Sequence, residues 1–135
     1  MISPSDIIGP WRNSPDLTQD RLENINDLIP PVNALLAKAK AAGIPLPINP
    51  KTGTQVSGAQ FGGFRPQTCP IGAPLSAHKQ GMAVDIYDPT NALDDWITDE
   101  VLIACGLFRE GGRWTPGWTH LTTRRPASGN RTFQP

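Results

Sequence analysis

Apolar positions along this chain change period once, from helical to alternating. Leu22, Ile25 and Ile29, then Val32, Leu35, Leu36 and Ala39, recur at steps of three and four, the spacing that lines one face of a helix. Thr18 or Asp20 supplies an N-cap oxygen and Gly43 a C-terminal stop. Pro30-Pro31 interrupts the run. Proline has no amide proton, so the pair predicts either a kink or a second helix opening at its first turn. Pro4, Pro10 and Pro15 predict an irregular arm over residues 1–17, tied to the body by Trp11. Downstream the period becomes two. Thr54 to Val56 predicts a short strand, Ala83-Val84-Asp85-Ile86-Tyr87 a second closed by Asp88-Pro89, and Trp118-Thr119-His120-Leu121-Thr122 a third. Between the last two, Asn91 caps a short turn through Leu93 and Trp96. Thr98 caps a helix that packs through Val101, Leu102 and Ile103, carries Asp99 and Glu100 in its first turn and ends at Gly106. Gly111-Gly112-Arg113 and Pro116-Gly117 make turns flanking a short hairpin. Residues 124–135, with three arginines and no acid, form an exposed basic tail. The expected fold is one α+β domain over residues 1–135, N-terminal helices on a small, mainly antiparallel sheet.

Alternation also sorts the chemistry. It sends Val84 and Ile86 to one face and Ala83, Asp85 and Tyr87 to the other, while Trp118, His120 and Thr122 share a face. Pairing the two strands brings Asp85 beside His120, and Gly81 lets the backbone bend so that His78 reaches the same point. His78 and His120 are the two histidines of the chain. Two imidazoles and a carboxylate make a standard set for a zinc ion that keeps one position open. The expected cofactor is one Zn²⁺ per chain, held by His78, Asp85 and His120.

Ser76-x-His78-x-x-Gly81-x-Ala83-x-Asp85, followed by Trp118-x-His120, resembles the signature of the zinc peptidases that cut peptidoglycan peptides. That family holds D-Ala-D-Ala carboxypeptidases and dipeptidases and the L-alanyl-D-glutamate endopeptidases of phage endolysins. Gly63-Phe64-Arg65 resembles the family's Gly-Phe/Tyr-Arg segment, and the likeness spans roughly residues 55 to 122. It implies a carboxypeptidase/hedgehog-like fold and zinc-dependent hydrolysis of a peptidoglycan stem peptide, with the endolysin type preferred for so compact a chain. Arg65 matches the arginine that holds a substrate carboxylate or steadies charge on the scissile carbonyl. Ser76 matches the motif serine, a binder of the substrate's polar end or a turn hydroxyl. Trp118 and Tyr87 are expected to line the pocket. One position departs. In many relatives a glutamate stands three residues before the second histidine, and here that residue is Gly117. Glycine moves no proton. Either Glu110, Asp88, Asp94 or Asp95 substitutes, Glu110 being the first choice, or the domain binds wall peptide without turnover.

Composition narrows the setting. Lysine plus arginine and aspartate plus glutamate are 12 each, so no basic field recruits nucleic acid or an anionic membrane. No apolar run reaches the roughly 20 residues of a membrane helix. No secretory signal is visible at Met1-Ile2-Ser3-Pro4-Ser5-Asp6. Cys69 and Cys105 read as buried free thiols. The expectation is a monomer made in the cytoplasm, reaching the cell wall through a separately made membrane pore of the holin kind.

Overall fold

Ser3 opens the first element of the computed structural model, which describes residues 1–135. The Ser3 hydroxyl accepts from the Asp6 amide and the Asp6 carboxylate accepts from the Ser3 amide, with Pro4 in the first helical position. The result is a helix, α1 (Pro4–Ile8), followed by a 3₁₀ turn over Gly9–Trp11. The expected irregular arm is therefore partly helical. Proline breaks a helix interior but suits its first turn, where no amide proton is needed. Trp11 does tie this region down, its indole donating to the Gln60 carbonyl at 3.2 Å.

The second helix, α2 (Gln19–Ala41), starts on the Thr18 hydroxyl and runs unbroken through Pro30 and Pro31. Its inward stripe is Ile25, Leu28, Val32, Leu35, Leu36 and Ala39, all buried. Leu28, rather than Ile29, carries the stripe across the prolines. Each of the larger side chains contributes about 1.5–3 kcal/mol by burial, together more than the roughly 3 kcal/mol that an interior proline costs. Asn26 and Asp27, whose carbonyls lose their donors to the prolines, are exposed residues, so water can replace the missing bonds. Packing overrides the break. The helix ends on a Schellman motif: Ile44 donates to the Ala39 carbonyl and Gly43, at φ +79°, to that of Lys40.

Four strands form a mixed sheet in the order β1-β3-β2-β4. β1 (Ala83–Tyr87) and β2 (Phe108–Glu110) both pair antiparallel with β3 (Trp118–Thr122), while β4 (Thr132–Phe133) lies parallel to β2. Two short helices, α3 (Ala92–Trp96) and α4 (Asp99–Cys105), join β1 to β2. With α1 and α2 they complete an α+β architecture of four helices and four strands. One face of the sheet sends Val84, Ile86 and Leu121 into the core, against α2, Phe64, Leu93 and Leu102.

Several expectations need correction. The strand predicted over Thr54–Val56 is a single bridge from Val56 to Ile86. Hydroxyls and an amide compete for its backbone: Thr54 Oγ1 accepts from the Val56 amide, and Asn49 Nδ2 donates to the Val56 and Ser57 carbonyls. Asn91 precedes α3 in a left-handed conformation without capping it. Asp88 does that work, accepting from the Leu93 and Asp94 amides at 3.0 Å each. In α4, Leu102 is buried but Ile103 is 59% exposed. The tail is no loose segment, because β2 has an open edge whose donors need partners. Arg109 and Gly111 donate to the carbonyls of Arg131 and Phe133 at 2.8 Å each, which draws β4 in. Cys69 and Cys105 are free and half-buried rather than buried. No helix is long and apolar enough to cross a membrane.

Candidate metal centre

Strand register builds the site. Asp85 on β1 stands directly opposite His120 on β3. Continuing the β2–β3 register by one residue puts Glu110 on the other side of His120, and Glu110 in turn pairs with Phe133 of β4. Asp85, His120, Glu110 and Phe133 thus form one row across the four strands, on the face away from the core.

His78 enters from a turn just ahead of β1. Gly81, at φ +73°, allows that turn, and a Cβ there would fall 2.7 Å from the Arg21 carbonyl oxygen. The His78 ring is fixed from behind, its Nδ1 2.8 Å from the Gly63 carbonyl oxygen. A proton on Nδ1 satisfies that carbonyl and turns Nε2 toward Asp85, the kind of support that orients a ligating histidine. Gly63 is itself pressed against α1, where a Cβ would lie 2.2 Å from the Ile7 carbonyl oxygen, and the Phe64 amide donates to that same oxygen at 2.8 Å. The first helix therefore sets the height of His78.

Asp85 is the hub. Its Oδ1 lies 3.3 Å from His78 Nε2 and 2.8 Å from His120 Nδ1, and its Oδ2 lies 3.6 Å from the Arg65 guanidinium. The two imidazoles meet edge to face with ring centroids 5.1 Å apart. Ligand atoms of His78, Asp85 and His120 all lie within 4.8 Å of one another, so the group can hold a metal ion. Burial pushes the Asp85 carboxyl up, but attraction and hydrogen bonds from His78 and His120 outweigh it and hold the group well below the ordinary carboxylate range. An anionic oxygen between two imidazole nitrogens is a donor set that fits zinc.

Around this triad lies a cavity of about 420 Å³. Arg65, Ser76, Glu110 and Trp118 line it. Burial lowers the Arg65 pKa, with the Asp85 charge opposing, and its Nε donates to the Phe61 carbonyl at 2.8 Å. Burial raises the Glu110 carboxyl, partly offset by His120. Tyr87 is a correction. It sits one row beyond Asp85, and its partner Trp118 reaches the cavity while it does not. The other acids stand elsewhere too. Asp88 is spent on α3 and on the Thr119 hydroxyl, 2.9 Å away, and Asp94 on Arg109 and Thr115. Asp95 is exposed on α3. The sequence reading missed Arg124, Pro126, Phe133 and Pro135, which also line the cavity. Phe133 meets the His120 ring edge to face at 6.0 Å. Only the run of β-formers at Thr132-Phe133 hinted at that wall, and two residues are too few to predict a strand.

Comparison with family models, with curated proteins and with solved structures gives no match.

Proposed function

We propose that this chain is a zinc-dependent hydrolase acting on a peptide bond of peptidoglycan stem peptides, of the L-alanyl-D-glutamate endopeptidase kind. One observation carries the reading: the only two histidines converge with Asp85 at the floor of a cavity that also presents an acid and an arginine. His78, Asp85 and His120 are the residues that would hold the metal. Zinc bound there supplies Lewis acidity, making water a better nucleophile at neutral pH and polarising an amide carbonyl.

The chain's own groups do the rest. Glu110, beside His120 and with its carboxyl raised by burial, takes a proton from the attacking water and returns it to the leaving amine. Arg65 faces the second Asp85 oxygen at 3.6 Å and adds positive charge where the carbonyl oxygen becomes anionic. Trp118 and Phe133 exclude water from the sides of the cleft. Gly117 supports moving the acid's role to β2. It sits at φ +92°, a backbone conformation in which a glutamate would be strained.

The test is digestion of purified peptidoglycan by the zinc-loaded protein, with mass analysis of the released ends. New N-terminal glutamate is expected. Released D-alanine would make the protein a D,D-carboxypeptidase instead. No new ends at saturating zinc would leave a wall-binding domain without turnover, the reading that Gly117 in the usual acid position favours.

A further inference from the structure

Two arginines, Arg65 and Arg124, line the cavity, and their surroundings divide the work between them. Arg65 is buried and committed: its Nε is used by the Phe61 carbonyl and its NH2 faces the Asp85 carboxylate at 3.6 Å. Its charge is matched within the protein. Arg124 is exposed and makes no ion pair. It is nonetheless held in place at two points. Its amide donates to Thr122 Oγ1 at 3.0 Å, and that hydroxyl donates in turn to the Met82 carbonyl at 2.7 Å. One NH1 hydrogen goes to the Leu75 carbonyl, which bridges the end of β3 to the loop carrying Ser76. The other guanidinium N–H groups have no partner in the protein.

We propose that Arg124 is a specificity-determining residue that reads a free carboxylate on the substrate residue next to the cleaved bond. This rests on the hydrolase reading of the site. A guanidinium offers a planar fork that matches a carboxylate with two parallel hydrogen bonds. Because the side chain is already tethered at Leu75, less conformational freedom is lost when the carboxylate docks. In a stem peptide cut between L-alanine and D-glutamate, the free carboxylate next to the cleaved bond is the α-carboxylate of the D-glutamate. Arg65 is left to the triad and the scissile carbonyl.

The probes are L-Ala-γ-D-Glu-L-Lys, amidated at its C-terminus, and the same peptide with the D-glutamate α-carboxylate also amidated. Each is titrated calorimetrically into the zinc-loaded wild type and into Arg124→Gln, Arg124→Lys and Arg125→Gln. Arg125 is the neighbouring exposed arginine that does not line the cavity. Wild type should prefer the acid by about 3- to 5-fold at low salt, the range for an exposed pair. Arg124→Gln should bind both peptides alike, Arg124→Lys should keep part of the preference, and Arg125→Gln should keep all of it. Equal binding of the two peptides by wild type, no measurable binding of either, or a preference that survives Arg124→Gln overturns the assignment. Hydrolysis is followed on the same samples. A preference without cleavage leaves Arg124 standing and rejects the endopeptidase, whereas cleavage without a preference does the reverse.

Discussion

Asp85 gathers the site at the scale of single residues, one carboxylate oxygen toward both imidazoles and the other toward Arg65. Its neighbours form a set in which each member has a distinct measurable role. His120→Ala should take zinc content from one ion per chain to none by plasma emission spectroscopy, with the far-ultraviolet circular dichroism unchanged. Zinc retained by that variant would remove His120 from the ligand set. Glu110→Gln keeps the shape of the side chain and loses its titration. It should lower kcat on a stem-peptide substrate by at least about 10²-fold while the metal stays bound. A wild-type rate would return the proton transfer to the metal site alone. The pairing of Asp85 with His120 was legible because alternation fixes which face a strand residue takes, and His78 because it is the one other histidine of the chain. The support of His78 was not. It comes from a backbone carbonyl at Gly63, and any residue type supplies one.

Among the elements, α2 shows where local rules give way to packing. Pro30-Pro31 predicted a kink or a restart, and the helix instead continues because its buried stripe passes the prolines on the opposite side. Pro30 is exposed and still lacks a hydrogen bond to the carbonyl of Asn26. Pro30→Ala should therefore stabilise the protein by about 1–2 kcal/mol, the recovered bond less the entropy that proline removes from the unfolded chain. Urea unfolding measures this, and an unchanged or lower midpoint would mean that the proline ring packs more than its exposure suggests. The strands β1 and β3 were legible as five-residue runs of β-formers whose alternate positions, Val84, Ile86 and Leu121, enter the core. β2 and β4, at three and two residues, were not. Their existence depends on backbone donors left open by β3 and by each other, which no periodicity records.

For the molecule as a whole, the two faces of the sheet separate stability from chemistry. The core face carries Val84, Ile86 and Leu121, and the other carries the site. The join between them on the α3 side is Asp94, buried, bonded to Arg109 and to the Thr115 hydroxyl. Burial raises its carboxyl above the ordinary value of 3.8 despite those partners. A group favoured in its protonated form contributes stability below its ordinary pKa and loses that contribution as pH rises through the raised value. Asp94→Asn cannot titrate. The Tm of the wild type relative to this variant should thus fall as pH climbs from about 4 toward neutrality. A difference that does not vary with pH would show that Arg109 cancels the burial. What the sequence left dark at this scale was closure. Residues 124–135 read as a basic tail, yet they supply a strand and one wall of the cavity.

The pairing of Asp85 with His120 also makes the ion a gauge of correct threading. Side chains on adjacent positions of a strand point to opposite faces, so a slip of β1 by one residue would turn the carboxylate toward the core and leave the imidazole without it. If the triad holds a metal as proposed, only chains that have found the native alignment should capture it. During refolding, metal uptake should count correctly zipped molecules one by one, and misaligned ones should stay invisible to it.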